Sequence, residues 1–504
     1  MEQSQILIGD LGGQYTLLIA RRLRERGVRS VVCSSERMDE WLGQNHPKGI
    51  ILSGGWASVH DANAPHVPDS ALGAGVPVLG ICLGMHWLAK KFGGVVGSSV
   101  AYKEYGVYEF TRTMGHDPLF RNIPEKSQVR LSHGDSVTAL PKCAHRSGRT
   151  RECPIAAFTI PEKNIFAVQF HPECAESQYG SVILQNFLDV CGTVQDWNPS
   201  SIVEQIRSEV INALPKKSPV IHLFSGGVDS TVIAAILEPI LRERLICVTF
   251  DTGGLREGEM RDIRRNAVAA KCSLHCIDAK KECMVALAGL TDAQSKRLAF
   301  QRAYQEKVEE MKVMFGTSYA IQGTLAADLI ESGIQGNAAL IKTHHNVGVE
   351  SINPLRDFFK DEVREIARFL KLPDSISERM PCPGLALFIR IIGMPITEES
   401  VVLVRWADAR GNEIIRAHGI EKNISQFIIA LVGVPTAGVK GDARSIGYSI
   451  VVRAMQSIDF MTGSGYEIPS STRRALVGTL TQHPRIVRVW FDETPKPPAT
   501  FELE

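Results

Sequence analysis

The sequence has almost no net charge and lacks any long hydrophobic run. Its 504 residues carry 56 Lys+Arg against 55 Asp+Glu, a formal net charge of +1. The overall charge therefore gives no argument for a nucleic-acid or membrane partner. Arg, Glu or Pro interrupts every apolar stretch before it reaches membrane-spanning length, and the first residues lack the pattern of a signal peptide. We expect a cytoplasmic protein without a membrane segment.

The sequence also lacks a disulfide-like cysteine framework. Its 11 cysteines are an odd number with scattered spacing, which is typical of a reducing compartment. One cluster could be interpreted as a metal site: Cys272, His275, Cys276 and Cys283. Its spacing fits no standard zinc pattern, so ordinary thiols at a helix end and a strand are the favoured interpretation.

Short apolar strands alternate with helical patterns in the first 195 residues. Strands are predicted at 6–10, 49–52 and 76–81, and a helix at 15–26. This alternation favours a doubly wound parallel sheet. The length of the chain allows about three domains.

Cys82 stands at a tight turn between a predicted strand and a predicted helix. Gly80 and Gly84 lie two positions to either side, which is typical of a nucleophile elbow, and a helix N-terminus favours the thiolate. Far downstream, His171 and Glu173 follow another predicted strand and offer a base with a carboxylate to orient it. Each residue alone is more often structural, but together they predict a Cys-His-Glu triad.

A glycine turn lies at 224–231, after the apolar run 220–223 and before a predicted helix at 232–241. Glycines let the backbone approach a ligand, and the helix N-terminus adds a positive end, so the turn predicts an anion cradle. No Gly-Lys-Ser/Thr follows, which excludes a Walker A loop. Its order, Ser-Gly-Gly-x-Asp-Ser, resembles the pyrophosphate loop of ATP pyrophosphatases, which cleave ATP to AMP and pyrophosphate. A glycine turn without a ligand is the alternative. The predicted cradle residues are Ser225, Gly226, Gly227, Val228, Asp229, Ser230 and Thr231.

A polar break at 196–201 separates the first region from the second. A linker helix is predicted at 202–214, with its N-cap at Ser200 or Ser201. A strand follows at 245–250. The last region has helical patterns at 401–415 and 472–480 and strand patterns at 426–432 and 448–454. We predict α/β domains at 1–195, 200–392 and 393–504.

The triad and the glycine turn at 54–55 together resemble class I glutamine amidotransferases. The resemblance implies that Cys82 attacks the side-chain amide carbon of glutamine, releases ammonia and forms a thioester. His171 would protonate the leaving amine and then activate water. The implied oxyanion hole and glutamine pocket comprise Gly54, Gly55, the backbone N–H of Leu83, Ser132 and His133.

An amidotransferase followed by a pyrophosphatase resembles the glutamine-hydrolysing GMP synthetase family over nearly the whole chain. In that family ATP adenylylates the 2-oxygen of xanthosine monophosphate (XMP), and ammonia then displaces AMP to give GMP. The resemblance implies glutamine, ATP and a purine nucleotide (XMP or an analogue) as ligands, Mg²⁺ as a cofactor and no nucleic-acid or membrane partner. It also implies two doubly wound parallel-sheet domains and a small α/β C-terminal domain that forms a homodimer.

The same resemblance assigns further residues. Asp229 would hold Mg²⁺, which prefers oxygen ligands, and Lys342 would contact the pyrophosphate. The ending at 496–504, Lys-Pro-Pro-Ala-Thr-Phe-Glu-Leu-Glu, closely matches the family tail. The implied contacts to the nucleotide substrate are Arg256, Lys440, Lys496 and Glu502.

Several positions depart from the family pattern. Leu83, His86 and Trp56 stand where the family has Tyr, Gln and Pro, which affects glutamine use. At 379–390, bulkier or different side chains replace the family's His, Phe, Pro, Gly and small residue, and these changes predict a reshaped nucleotide pocket. The replacements are Met380, Cys382, Leu385, Ala386 and Phe388. Lys440 replaces a Met or Gln.

Three alternatives to an ordinary GMP synthetase follow. The first is a specialised relative that aminates another purine-type nucleotide by the same chemistry. The second is a tRNA-thiolating enzyme, which the net charge and the complete triad disfavour. The third is a silent binding protein, which the intact triad and cradle disfavour.

Overall fold

The computed structural model describes residues 5–98, 104–326, 351–380, 384–457, 463–496 and 498–504. The described residues up to Ile202 form one compact unit, and those from Val203 onwards form a second. No helix among the described residues combines the length and apolarity needed to cross a membrane. The ten cysteines in these ranges are all free thiols.

The first unit is built around a sheet of nine strands in the order β2-β1-β3-β4-β11-β10-β9-β6-β7. The strands from β2 to β11 pair in parallel, and the last four pair antiparallel. A separate pair joins β5 and β8. The strands are β1 (Ile6–Asp10), β2 (Ser30–Ser34), β3 (Gly49–Leu52), β4 (Val78–Ile81), β5 (Val95–Ser98), β6 (Glu104–Arg112), β7 (Lys126–His133), β8 (Asp135–Ala139), β9 (His145–Arg149), β10 (Ala157–Ile160) and β11 (Ile165–Val168).

Helices cover both faces of this sheet. Successive residues of β1 alternate between two cores, because Ile6 and Ile8 belong to one cluster and Leu7 to the other. A strand buried on both faces is typical of parallel sheets. The helices are α1 (Thr16–Arg24), α2 (Met38–Gln44), α3 (Ser70–Gly73), α4 (Leu83–Lys91) and α5 (Gly180–Val190), with 3₁₀ turns at Ser35–Arg37, Pro118–Phe120 and Pro161–Lys163.

Helix α6 (Pro199–Ala213) begins earlier than the sequence predicts. Asn198 Oδ1 accepts hydrogen bonds from the backbone N–H groups of Ser200 and Ser201, at 3.0 and 3.2 Å. The N-cap prediction at Ser200 or Ser201 was therefore wrong. The capping side chain belongs to Asn198, because Pro199 is well suited to the first helical position.

The second unit begins with a four-stranded parallel sheet in the order β14-β13-β12-β15. Helices follow its strands in the alternation that the sequence predicts. The elements are β12 (Val220–Leu223), α7 (Val228–Leu241), β13 (Leu245–Asp251), α8 (Glu259–Ala269), β14 (Leu274–Asp278), α9 (Lys280–Leu287), α10 (Ala293–Met314), β15 (Ala320–Ile321), α11 (Lys360–Phe369) and α12 (Asp374–Ser377), with a 3₁₀ turn at Arg242–Arg244.

The rest of this unit forms a five-stranded sheet, in which β16 to β19 lie side by side and β20 pairs with β18. The strand predictions at 426–432 and 448–454 were too short, because β17 and β18 continue into a hairpin. Its outer residues Val434, Val439 and Ile446 are exposed on the surface and give no burial pattern. The elements are a 3₁₀ turn (Ala386–Arg390), β16 (Ile391–Ile392), α13 (Glu398–Ala417), a 3₁₀ turn (Glu421–Asn423), β17 (Gln426–Lys440), β18 (Ala443–Gln456), β19 (Ser464–Gly465), α14 (Ser470–Leu480) and β20 (Ile486–Asp492).

One continuous hydrophobic core runs through the second unit. It includes Leu223 and Phe250 of the parallel sheet, Phe388 and Ile391 after it, and Ile429 of β17. The predicted α/β class is confirmed, with a mixed sheet whose first five strands are parallel in the first unit and a parallel sheet in the second.

Candidate active site

Cys82 joins the carboxyl end of β4 to the start of α4. Its backbone has φ +50°, a left-handed conformation that is strained for a residue with a Cβ. Gly80 permits the turn, since a Cβ there would lie 2.7 Å from the carbonyl carbon of Gly84. The predicted elbow is therefore present in the structure, and it holds the thiol at the sheet edge.

His171 follows the neighbouring parallel strand β11, which pairs with β4 through Ile81 and Val168. The carboxyl ends of two adjacent strands thus bring His171 beside Cys82, and the backbone N–H of Cys82 donates to the Val168 carbonyl at 2.8 Å. His171 Nδ1 lies 2.7 Å from Glu173 Oε1. Both side chains are buried. The ring of Tyr15 packs edge-on against His171 with centroids 5.1 Å apart.

The charge state of the His171 imidazole follows from its surroundings. Burial alone would lower the pKa of His171, but the Glu173 carboxylate and the Cys82 sulfur raise it to about 10. The imidazole is then protonated at neutral pH beside the sulfur. A nucleophile and a proton donor are therefore present in one buried site.

The other residues predicted around Cys82 lie at different distances from it. A Cβ at Gly54 would be 2.9 Å from His171 Cε1 and 3.6 Å from Cys82 Cβ, so this glycine lies directly beside the pair. Gly55 packs against the Leu83 side chain. The Ser132 carbonyl is 3.9 Å from Cys82 Sγ. The His133 imidazole instead contacts Glu104 Oε2 at 3.1 Å and the Asp135 carbonyl at 2.9 Å.

His86 and Gln169 form a second contact to the nucleophile. His86 Nε2 lies 2.8 Å from Gln169 Oε1, and Gln169 Nε2 lies 3.8 Å from Cys82 Sγ. Burial lowers the pKa of His86 to about 4, so its ring is neutral at pH 7. The sequence indicated that His86 affects glutamine use, but it gave no signal for Gln169.

In the second unit, the glycine turn at 224–231 follows β12 and opens helix α7. Gly226 has φ +69°, and a Cβ there would lie 2.8 Å from a side-chain atom of Ile263. Its carbonyl accepts hydrogen bonds from Asn266 Nδ2 at 2.8 Å and from Arg379 Nη1 at 2.9 Å. Ser225 Oγ lies 3.1 Å from Ser230 Oγ. These hydrogen bonds hold the loop at Gly226, and its N–H groups lie at the start of α7.

Asp229 lies in the first turn of α7. One of its carboxylate oxygens pairs with the ammonium group of Lys360. The other, Oδ1, is buried without a hydrogen-bond partner in the described parts of the chain. A buried anionic oxygen without a partner fits a ligand for a hard cation. Sequence reasoning missed Lys360 and Arg379, because nothing in the local sequence connects them to the loop.

Two of the predicted nucleotide residues belong to one buried charge network. Arg390 Nη1 lies 2.8 Å from Asp408 Oδ1, and its Nη2 lies 3.1 Å from Glu502 Oε1. Burial alone would lower the pKa of Arg390, but the Glu502 and Asp408 carboxylates raise it above its ordinary value. Arg256 Nε lies 3.4 Å from the other oxygen of Asp408, and Gln426 Nε2 lies 2.6 Å from Glu502 Oε1.

The other predicted contacts lie outside this network. Lys440 Nζ donates to the carbonyls of Thr481 and His483 at 2.8 and 2.5 Å, so it caps the end of α14. The Lys496 ammonium lies 4.9 Å from the centroid of the Phe501 ring. Lys342 and Cys382 fall outside the described residues.

The segment at 384–390 packs into the core. Ala386, at the position of a family glycine, has φ +52°. Phe388 is fully buried, and its ring occupies the space in front of Gly254, where a Cβ would lie 2.6 Å from it. The Phe388 ring, which was predicted to reshape the nucleotide pocket, therefore lies inside the hydrophobic core.

Known families match successive parts of the chain. Residues 7–191 match the family described as "Glutamine amidotransferase class-I", residues 200–390 match "NAD synthase", and residues 413–503 match "GMP synthase C terminal domain". This combination defines a ligase with a glutamine amidotransferase domain and an ATP-binding domain of the NAD synthase type.

Full-length relatives carry one name. The "GMP synthase [glutamine-hydrolyzing]" of Thermomicrobium roseum is 40% identical over 516 residues, which cover 99% of this chain and 96% of that protein. The protein of the same name from Syntrophomonas wolfei is 37% identical over 515 residues and covers 100% of both chains. That from Enterococcus faecalis is 37% identical over 515 residues, covering 99% of this chain and 98% of that one. The chain belongs to the glutamine-hydrolysing GMP synthase family.

Proposed function

We propose that the protein catalyses the glutamine- and ATP-dependent amination of XMP to GMP, releasing AMP, pyrophosphate and glutamate. The observation that carries the proposal is one chain that contains both the Cys82–His171–Glu173 triad and the phosphate cradle at 225–231. The first supplies ammonia and the second holds ATP. A relative that aminates a different purine-type nucleotide is not favoured, because the curated relatives share the name GMP synthase.

In the first half-reaction the Cys82 thiolate attacks the side-chain amide carbon of glutamine. Backbone N–H groups of Gly55 and Leu83 would stabilise the developing oxyanion. Gly54, in the same turn as Gly55, packs against His171. His171 gives its proton to the leaving nitrogen, and ammonia departs from a Cys82 thioester. His171 then takes a proton from water, which hydrolyses the thioester to glutamate. Glu173 stabilises the imidazolium throughout.

In the second half-reaction the 2-oxygen of XMP attacks the α-phosphorus of ATP, and pyrophosphate leaves. Ammonia then adds to C2, and AMP departs with the oxygen, because a phosphate ester leaves far better than hydroxide. The backbone N–H groups at 225–231 and the Lys360 ammonium would bind the phosphates. Lys342 joins them in this proposal.

Asp229 fits the Mg²⁺ that the family implies, since its Oδ1 has no partner within the described ranges. Bound Mg²⁺ would neutralise charge on the β- and γ-phosphates. For the nucleotide we propose Arg256 and Glu502, which the buried network orients, together with Lys440 and Lys496. The domain ranges 1–195, 200–392 and 393–504, the homodimer and the cytoplasmic location remain predictions.

The test uses Cys82→Ala and Asp229→Asn beside the wild-type enzyme, with XMP, ATP and either glutamine or ammonium chloride. AMP, pyrophosphate and GMP are quantified by chromatography. We expect Cys82→Ala to lose glutamine-driven GMP and keep ammonia-driven GMP, and Asp229→Asn to lose both. A folded wild-type enzyme that hydrolyses glutamine but makes no GMP would overturn the proposal.

A further inference from the structure

A buried cluster of metal-ligating side chains lies near the Cys82 site but includes none of the triad residues. It consists of Glu104, His133 and Cys153, whose ligand atoms all lie within 4.8 Å of one another. Each residue is at most 5% exposed. Glu104 and His133 face each other directly across the β6–β7 pair, and Cys153 comes from the turn between β9 and β10.

The hydrogen bonds of His133 determine which of its nitrogens carries the proton. Nδ1 lies 2.9 Å from the backbone carbonyl of Asp135, and a carbonyl can only accept, so Nδ1 carries the hydrogen. In the neutral ring, Nε2 then directs its lone pair at Glu104 Oε2, 3.1 Å away. Two acceptors facing each other in a buried site require a positive charge between them, which is either a proton or a metal ion.

The second carboxylate oxygen is already satisfied. Thr150 Oγ1 donates to Glu104 Oε1 at 2.8 Å, and the Cys153 backbone N–H donates to the same hydroxyl at 2.9 Å. Among the described residues, no Lys or Arg has a hydrogen bond to this carboxylate. Second-sphere hydrogen bonds of this kind, to the far nitrogen of a histidine and to a carboxylate, are typical of metal ligands.

Cys153 makes the metal ion the better candidate for this charge. Its sulfur is buried and lies within 4.8 Å of the ligand atoms of His133 and Glu104. A proton between those two side chains would not use this sulfur, whereas a divalent metal ion binds all three groups and deprotonates a coordinating thiol.

We propose that Glu104, His133 and Cys153 form a structural Zn²⁺ site. Oxygen, nitrogen and thiolate sulfur are the ligands that Zn²⁺ takes, and the 3.1 Å between Nε2 and Oε2 is close to the edge of about 3.3 Å in a tetrahedron with 2.0 Å bonds. The Cys153 sulfur lies within 4.8 Å of both of these atoms. The Ile155 carbonyl, 3.4 Å from Cys153 Sγ, offers an oxygen for the fourth position.

The site would join three segments of the first unit at the end of β7. Ser132 immediately precedes His133, and its carbonyl lies 3.9 Å from Cys82 Sγ. Zn²⁺ would therefore hold the strand end beside the nucleophile without taking part in its chemistry. The Zn²⁺ site does not depend on the proposed reaction.

The experiment measures Zn²⁺ binding to the full-length protein. Wild-type protein, stripped with a chelator, is titrated with Zn²⁺ against a fluorescent competitor and then with Co²⁺, whose bond to a thiolate gives a near-ultraviolet charge-transfer band. Cys153→Ala and Glu104→Gln are the test variants, and Cys33→Ala, a half-buried cysteine of the same unit, is the matched control.

We expect about one Zn²⁺ per wild-type and Cys33→Ala chain, and at least a tenfold weaker affinity in both test variants. We also expect the cobalt band to disappear in Cys153→Ala. A wild-type protein that binds neither ion, or that shows no cobalt–sulfur band, overturns the proposal and leaves a proton between His133 and Glu104. If Cys153→Ala fails to fold, Glu104→Gln, which keeps the size of the side chain, tests the same site.

Discussion

Nε2 of His86 lies 2.8 Å from Oε1 of Gln169. Because the His86 ring is neutral at pH 7, its Nε2 donates to the amide oxygen and fixes which way the Gln169 amide faces. The NH₂ group of Gln169 is then directed at Cys82 Sγ, 3.8 Å away. A residue that never touches the sulfur thereby controls a hydrogen bond to it.

Replacing His86 is expected to weaken the use of glutamine but not of ammonia. In His86→Ala the Gln169 amide loses its orientation, and kcat/KM for glutamine should fall about tenfold, or about 1.4 kcal/mol. Steady-state assays with each nitrogen source measure this. His86→Gln, which keeps a donor, is the matched control and should recover most of the loss. An equal loss with ammonia would contradict the relay.

Removing the Glu173 carboxylate should change the pH dependence of Cys82. With Glu173 present, the pKa of His171 is about 10, so the imidazolium and its ion pair with Glu173 persist through neutral pH and are lost as pH rises through about 10. In Glu173→Gln burial dominates, the pKa of His171 falls and its ring is neutral at pH 7.

The measurement is the rate of Cys82 alkylation by iodoacetamide as a function of pH. We expect a flat profile from about pH 6 to 9 in the wild-type enzyme and a steep rise with pH in Glu173→Gln. kcat for glutamine should fall about 10²- to 10⁴-fold. Glu176→Gln changes an exposed carboxylate three residues on and should leave both unchanged. A flat profile in Glu173→Gln would contradict the inference that Glu173 keeps His171 protonated.

The Lys360 ammonium should matter for ATP. Lys360→Met leaves Asp229 without its cation and removes a positive charge beside the phosphate cradle. We expect KM for ATP to rise about tenfold or more, whichever nitrogen source is used, while hydrolysis of glutamine alone is unchanged. Arg368→Met removes a charge from an exposed ion pair on the same helix and should have no effect. An unchanged KM for ATP would remove Lys360 from the site.

Ala386→Gly should stabilise the protein. Ala386 has φ +52°, and a left-handed backbone costs a residue with a Cβ about 1–2 kcal/mol, a strain that glycine lacks. We expect the free energy of unfolding to increase by about 1 kcal/mol in urea titrations. Ala367→Gly, inside helix α11, should decrease it by about 1 kcal/mol or more. A decrease in both variants would show that Ala386 is not strained.

Structural features that depend on a local sequence pattern could be predicted from the sequence. The elbow at Cys82 follows from its flanking glycines and a strand before a helix. His171 could be placed beside it, since parallel strands end at the same sheet edge. Lys360 and Arg379 could not, because they reach the cradle from α11 and from the segment after α12, more than 100 residues along the chain. Lysine and arginine at such separations carry no periodicity that distinguishes them from solvated side chains.

Two residues show a different limit of prediction from the sequence. Lys440 stays a proposed contact to the nucleotide, but nothing in the sequence indicated that the hairpin β17–β18 carries its ammonium to the carbonyls at the end of α14. Phe388 was assigned to the pocket, but the missing side chain at Gly254 leaves room for its ring in the core. Both outcomes depend on which partner segment lies opposite, and a single sequence does not contain that information.

The continuous core of the second unit has a consequence for how the protein loses its structure. Leu223 and Phe250 share one cluster with Ile391, Ile429 and Ile450, so the predicted boundary at 392/393 crosses a region that is packed on both sides. The ATP-binding and C-terminal parts should therefore unfold together in one cooperative transition. A chain cut near residue 393 should yield no stable N-terminal half of this unit, and the enzyme would lose nucleotide recognition and ATP binding in the same step.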